Sequence, residues 1–221
     1  MSDDRAGELP AGGTRSGGAA SGETSSGEAL PEAGFCERCG RAVERIVPAD
    51  DNRERRVCPN CGHIHYENPK IVVGCLLEWE GRVLLCRRGI EPRHGLWTLP
   101  AGFMENGEST LEGAAREAFE EATAEAEDLR LFALYNLPRI SQVYVMFHGR
   151  LRQGFARANE ETLEVGLFEQ ADIPWSEIAF PVVGETLVRW FEMRDGGERR
   201  VHLADVSNRP GSPLEIVRHP A

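Results

Sequence analysis

The chain has 221 residues, 25 Lys+Arg against 36 Asp+Glu for a formal net charge of −11, 41 % hydrophobic residues and 7 % aromatics, enough for one ordinary domain and something small. Such an acidic chain lacks the basic face that duplex nucleic acid or an anionic membrane surface requires, so any phosphate-bearing ligand must be met locally. The longest apolar runs, residues 71–77 and 143–147, fall far short of the ~18 residues of a membrane span, and a soluble protein is expected.

Residues 1–34 are Gly, Ser, Ala and acids with almost no large apolar side chain. They cannot bury enough surface to offset ordering entropy and read as a disordered tail. They lack the apolar h-region of a signal peptide and hold too many acids (Asp3, Asp4, Glu8, Glu23, Glu28, Glu32) for an organellar transit peptide, so a cytoplasmic location is expected. Residues 35–68 are rich in Cys and Arg and poor in aliphatics. Apolar periodicity starts at Pro69, which makes Asn68-Pro69 the expected boundary. IVVGCLLE (71–78) and RVLLCRR (82–88) flank Trp79-Glu80-Gly81 and predict a hairpin of mostly buried strands. A helix is predicted behind Ser109 or Thr110 as N-cap, with Glu112 completing the cap and Leu111, Ala114, Ala115, Ala118, Phe119 and Ala122 at spacings of three and four. Strands are expected near 128–136, 141–151 and 163–168. Residues 181–193 predict an amphipathic helix that starts on Pro181 and carries Val182, Val183, Leu187, Trp190 and Phe191 on one stripe. Residues 196–221, with several Gly and Pro and no periodicity, read as a loose C-terminal extension.

Four of the six cysteines form Cys36-x2-Cys39 and Cys58-x2-Cys61, with eighteen residues between the pairs. That spacing lets two short loops each offer two thiolates to one tetrahedral Zn²⁺, and Gly40 and Gly62 stand where each loop must turn tightly. A segment of some thirty residues without aliphatic core needs such a staple, and a closed four-thiolate shell makes the zinc structural. Disulfides remain the competing reading. His63 and His65, just behind Cys61, could replace a thiolate, but four cysteines already complete the shell. Cys75 and Cys86 fall inside apolar strands and are expected in the core.

The acids of residues 99–124 (LPAGFMENGESTLEGAAREAFEEATA) are not scattered. Glu117, Glu120 and Glu121 are three and four apart and project from one side of the predicted helix, where like charges destabilise it unless a cation intervenes. Several carboxylates together suit Mg²⁺ or Mn²⁺. Ala101-Gly102 would let a loop approach the helix and offer a carbonyl to the same ion, while Arg116 can pair with Glu108 or a neighbouring Glu. Taken alone, this pattern leaves a solvated acidic helix face open.

Gly102, Glu108 and Arg116-Glu117-Ala118-Phe119-Glu120-Glu121, at spacings G-x5-E-x7-REUxEE, resemble the Nudix box, with Thr123 where that family usually has Gly. The resemblance implies an α/β/α Nudix sandwich with a mixed sheet over residues 69–195, preceded by a small four-cysteine zinc ribbon at 35–68. It further implies Mg²⁺ or Mn²⁺ held by Glu117, Glu120 and Glu121 with help from Ala101 or Gly102, oriented by Arg116 and Glu108, and hydrolysis of nucleoside diphosphate derivatives. In several family members the base lies outside the box, and Glu164 is the first candidate, with Glu160 and Glu161 as its neighbours. Thr123 leaves the helix end open, because Gly would cap it in a left-handed conformation.

Ribbon plus box is similar to two groups. NADH pyrophosphatases, which also decap NAD-linked RNA, carry an SQPWPFPxS signature where this sequence reads LYNLPRISQVYVMF. FCERCG…CPNCGHIHYENPKIVVGC and LLCRRGIEPRHGLWTLPAGFMENGES are closer to bacterial and plant-plastid hydrolases of FAD and ADP-ribose. That resemblance implies cleavage to AMP and a homodimer; a non-catalytic ligand-sensing Nudix module is the remaining alternative. Arg87, Arg88, Arg93 and Arg139 are the candidate phosphate contacts, Arg87 and Arg139 foremost, and Phe103 and Tyr135, with Tyr144, the candidate stacking residues. Residues 1–34 carry −4 and residues 102–124 carry −5, so most of the acidity belongs to the tail and the candidate metal site.

Overall fold

A computed structural model describes residues 34–196, 199–207 and 214–220. They form two units divided between Tyr66 and Glu67, two residues ahead of the expected boundary. Apart from Gly34, the expected tail lies outside the described residues. In the first unit three short strands, β1 (Glu44–Ile46), β2 (Arg55–Val57) and β3 (Ile64–His65), pair antiparallel in that order. Its buried side chains are Cys36, Val43, Cys58 and His65. So small an apolar core cannot offset the ordering of thirty residues.

The second unit is built on one nine-stranded sheet. β4 (Lys70–Trp79) and β5 (Arg82–Arg88) form the predicted hairpin through Glu80 and Gly81, both at positive φ. They pair only beside the turn, at Glu78↔Val83 and Trp79↔Arg82. Beyond it the strands part, and β6 (Trp97–Thr98) pairs with β5 while β7 (Ala101–Phe103) pairs with β4. There follow α1 (Thr110–Ala122), β8 (Ala126–Leu137), β9 (Gln142–Leu151), β10 (Thr162–Phe168), α2 (Pro181–Arg194), β11 (His202–Ser207) and β12 (Glu215–His219). The order across the sheet is β10-β5-β4-β9-β8-β11-β12; the β4–β9 and β8–β11 pairs are parallel and the rest antiparallel. The sheet is thus mixed, as expected.

Strand side chains alternate between the faces, and both faces are buried. Leu76, Val83 and Leu85 join Val182, Leu187, Trp190 and Phe191 of α2 in one core. Cys75, Leu77, Leu84 and Cys86 join Ala114, Ala118 and Ala122 of α1 in the other. That is the α/β/α sandwich, with both strand cysteines in its core. The C-terminal extension is not loose: β11 adds to β8 (His202↔Ala133 to Asp205↔Asn136), and β12 pairs antiparallel with β11. Ala204 and Val206 alternate inward on β11, and that short period was hidden by the surrounding Gly and Pro.

Candidate active site

α1 begins at Ser109, whose hydroxyl accepts from the Glu112 N–H while Glu112 accepts from the Ser109 N–H, a complete capping box. Its buried face is small: Gly113, Ala114, Ala118 and Ala122, together with Glu117 and Glu121. Leu111 and Phe119, expected on the apolar stripe, are exposed instead. The reason is close approach. A Cβ on Gly113 would stand 2.8 Å from Val73 Cγ2 of β4, and the Cys75 thiol donates to the Ala114 carbonyl at 3.5 Å. With small residues against the sheet, the long carboxylates at 117 and 121 are carried into the space beside β7. The helix ends on Thr123, which itself adopts the left-handed conformation (φ 49°) that Gly would favour, its N–H reaching the Phe119 carbonyl while the Ala124 N–H reaches that of Ala118. The expected helix end is therefore kept.

Arg116 organises the acids. It grips Glu108 through two bonds of 2.9 and 2.8 Å, reaches Glu117 and Glu120 at 2.8 Å each from Nη1, and donates to the Phe103 carbonyl at 3.2 Å. The guanidinium holds Glu108 down at about 2. Burial pushes Glu121 up to about 8 and also raises Glu117. Glu121 accepts from the Ala101 N–H at 3.2 Å, and the Glu117 carboxylate lies against Gly102, where a Cβ would stand 2.4 Å from either oxygen. Arg116 thus pairs with three of the four carboxylates, while buried Glu121 is bonded to the Ala101 N–H and feels Arg88. Four carboxylates against these two cations leave an excess of oxygen ligands that fits a hard divalent ion.

These groups form one wall of a cleft of about 710 Å³, within the range of small-ligand sites. Ala101, Gly102, Phe103 and the box glutamates line it on one side; Leu137, Arg139, Ile140, Tyr144, Phe180, Val206 and Leu214 line it elsewhere, with Arg88 and Glu161 also contributing.

In the separate N-terminal unit, Gly40 and Gly62 take the expected left-handed turns (φ 69° and 70°), and their N–H groups bond back to the Cys36 and Cys58 carbonyls. The turns bring Cys36 Sγ within 3.7 Å of Cys61 Sγ and Cys39 Sγ within 3.5 Å of Cys58 Sγ. Sulfurs bound to zinc at about 2.3 Å stand roughly 3.8 Å apart around a tetrahedron, whereas a disulfide needs about 2.05 Å. The four cysteines are free and fit zinc. Within the quartet the Arg41 N–H, and then the Cys58 thiol, draw Cys39 down to about 6, whereas burial and the neighbouring sulfurs push Cys61 up to about 11.

The sequence matches the NUDIX domain family over residues 68–191 and the Nudix N-terminal zinc ribbon over residues 34–67. This chain belongs to the Nudix hydrolase family. A NUDIX hydrolase from Nitrosomonas europaea is 48 % identical and superposes with a TM-score of 0.76 over 79 % of this chain and 99 % of that one. An NAD-capped RNA hydrolase of Photobacterium profundum is 28 % identical over 72 % of this chain and 59 % of its own length. A mitochondrial NAD(P)H pyrophosphatase of Homo sapiens is 30 % identical over 64 % and 38 %. An ADP-ribose pyrophosphatase of Methanocaldococcus jannaschii is 26 % identical over 68 % and 86 %. The chain therefore spans 59 % or less of the first two of these curated relatives.

In this Nudix hydrolase the cleft gathers Glu117, Glu120, Glu121, Arg116, Ala101, Gly102, Phe103 and Arg139 as expected, with Glu108 held behind them by Arg116. Three expectations fail. Glu164 does not line the cleft: a bulge between Thr162 and Glu164 resets the alternation of β10, and Glu164 pairs with Arg87 at 3.4 Å. Arg87 is turned to the Gly95 carbonyl and the Trp97 ring, and its neighbour Arg88 lines the cleft instead. Tyr135 is fully buried, its hydroxyl accepting from Thr186 Oγ1 of α2 at 3.3 Å, so it is a core residue and cannot stack on a ligand. Arg88 and Glu161, the lesser candidates of the sequence reading, line the cleft in place of Arg87 and Glu164, whereas Val206 and Leu214 were missed as cleft residues. Among the described residues no helix is long and apolar enough to cross a membrane.

Proposed function

We propose that this Nudix hydrolase cleaves the pyrophosphate of an adenine dinucleotide to AMP and the other mononucleotide, with NAD(P)H as the leading substrate. The observation that carries the reading is the single cleft that joins a carboxylate wall to an apolar, Arg-bearing remainder, room for a pyrophosphate and a flat ring together. The relatives named for NAD(P)H and NAD-capped RNA support the nicotinamide dinucleotides ahead of the FAD and ADP-ribose expected from sequence. ADP-ribose stays as the second reading, because the SQPWPFPxS signature is missing and an ADP-ribose pyrophosphatase is also similar.

In this proposal Glu117, Glu120 and Glu121, with the Ala101–Gly102 backbone, hold Mg²⁺ or Mn²⁺. The bound ion would neutralise charge developing on the phosphates and favour attack by water. Arg116 neutralises and orients the acids, and Glu108 fixes Arg116 in turn. Arg88 and Arg139 face the phosphates, while Phe103 and Tyr144 offer ring faces to the base or nicotinamide. Glu161 replaces Glu164 as the acid placed to take the water's proton. Incubating the protein with Mg²⁺ or Mn²⁺ and NADH, ADP-ribose or FAD at equal concentration, with chromatography for AMP, tests the reading. NADH is expected to turn over fastest. Glu120→Gln and Glu121→Gln should lose activity by orders of magnitude with the fold retained. No turnover of any of the three substrates would sink the proposal.

A further inference from the structure

The ribbon gathers a second set of metal-ligating atoms that the four cysteines leave unused. Glu37 follows Cys36 in the first turn, while His63 and His65 follow Cys61 at the start of β3. Two residues apart along an extended segment, the imidazoles share a face. Their ring centroids are 4.5 Å apart and nearly perpendicular. Both present a nitrogen to the same carboxylate oxygen: His63 Nε2 lies 3.2 Å and His65 Nδ1 3.6 Å from Glu37 Oε1. One ligand atom from each of the three residues lies within 4.8 Å of the others, as a group distinct from the cysteine quartet.

We infer that Glu37, His63 and His65 form a second, exchangeable transition-metal site in the ribbon. Two edges test the fit. Nitrogen and oxygen ligands at about 2.0–2.1 Å from a tetrahedral ion stand roughly 3.4 Å apart, and the two measured edges of 3.2 and 3.6 Å bracket that value. The donor chemistry agrees, because two imidazoles and one carboxylate suit a borderline ion such as Zn²⁺ rather than Mg²⁺. A hydrogen-bonded cluster accounts for less. At 3.6 Å the His65 contact is too long for a hydrogen bond, so such a cluster would bind His63 but leave His65 Nδ1 unexplained. His65 is 6 % and His63 25 % exposed, so both rings are held in place, whereas Glu37 is 73 % exposed and can close on an incoming ion. Three protein ligands leave one corner to water, in contrast with the closed thiolate shell, and such a site exchanges its ion more readily.

The test is zinc stoichiometry of the full chain equilibrated with buffered micromolar free Zn²⁺ and excess Mg²⁺, which occupies the carboxylate cleft. Two zinc ions per chain are expected in the parent and one in Glu37→Gln and in His63→Gln. Glu37→Gln alters an exposed side chain, so retention of the thiolate-bound zinc in it reports an intact ribbon. Glu120→Gln must leave the count at two, since a fall there would place the second zinc in the cleft and overturn the inference. Co²⁺ added to zinc-loaded protein should give visible d–d bands without sulfur-to-metal charge transfer, abolished by Glu37→Gln. A parent that binds one zinc, or variants that still bind two, overturns the inference.

Discussion

Replacing Gly102 by alanine should separate catalysis from stability. The backbone there is not in the left-handed region, so alanine is conformationally acceptable and reduces unfolded-chain entropy slightly. The difficulty is spatial: the new Cβ would stand 2.4 Å from both Glu117 oxygens and 2.5 Å from Cδ. Ordinary carbon–oxygen contact lies near 3.3 Å, so the carboxylate must retreat by roughly 0.9 Å. β7 cannot yield easily because Gly102 is paired with Val73, and Glu117 is already held at 2.8 Å by Arg116. A displacement of about 1 Å in a catalytic constellation costs on the order of 100-fold, or about 2.7 kcal/mol of transition-state stabilisation. Gly102→Ala is therefore expected to lose roughly 100-fold in kcat/KM for AMP release with Tm nearly unchanged. Gly74→Ala is the contrasting case, since its Cβ would meet the Pro100 carbonyl at 2.7 Å and Ala101 Cβ at 2.4 Å. Pushing backbone apart should cost about 1–3 kcal/mol of stability. If Gly102→Ala keeps activity within threefold while folded, Glu117 does not have the assigned role.

Three further outcomes are expected. Thr123→Gly should stabilise by about 0.5–1 kcal/mol in urea denaturation, because a β-branched residue in the left-handed conformation costs roughly 1–2 kcal/mol and Gly loses part of that gain to chain entropy; unchanged or lower stability would contradict it. Glu185 of α2 is buried between Arg189 at 2.7 Å and Arg218 of β12 at 2.8 Å, and despite burial these cations keep it ionised below its usual range. Glu185→Ala should cost about 3 kcal/mol, and Glu185→Gln less; a loss under about 1 kcal/mol in both would show that the pair does not hold α2 and β12 together. Burial beside Phe132 and Trp190 lowers His148 to about 4 from 6.5. The unfolded chain then gains a proton that the native ring refuses, so stability falls as pH drops from about 6.5 toward 4. His148→Phe should flatten that part of a Tm-against-pH curve, and identical curves would refute the assignment.

The helix, the three glutamates and the four cysteines were legible because spacing alone carries them: helical periodicity puts 117, 120 and 121 together, and the two Cys-x2-Cys turns need only a Gly after each. Which glutamates are buried was not, since Leu111 and Phe119 read as the natural inner face. Only the close contact of Gly113 and Ala114 with β4 explains the reversal. β6 and β7, of two and three residues, are too short for any period to show. Arg87 and Arg88 differ by one position on a strand, so alternation separates them but cannot say which side holds the cleft. Tyr135 could have been found, because it shares its face with Ala133 and both are fully buried in one core. The bulge that turns Glu164 away left no signal in the residues around it.

The last strands give the cleft a modular character. Val206 is the penultimate residue of β11 and Leu214 precedes β12, and both line the same cleft as the box glutamates some ninety positions earlier. The groups assigned to bond breaking lie in the middle of the chain, on a helix capped at both ends, while part of the wall that meets the ligand is added at the sheet's far edge. Selection can reshape that wall through β11 and β12 without moving a carboxylate. On the proposed function, one carboxylate-bearing helix can then serve different substrates, with part of the wall that distinguishes them supplied by β11 and the residue before β12.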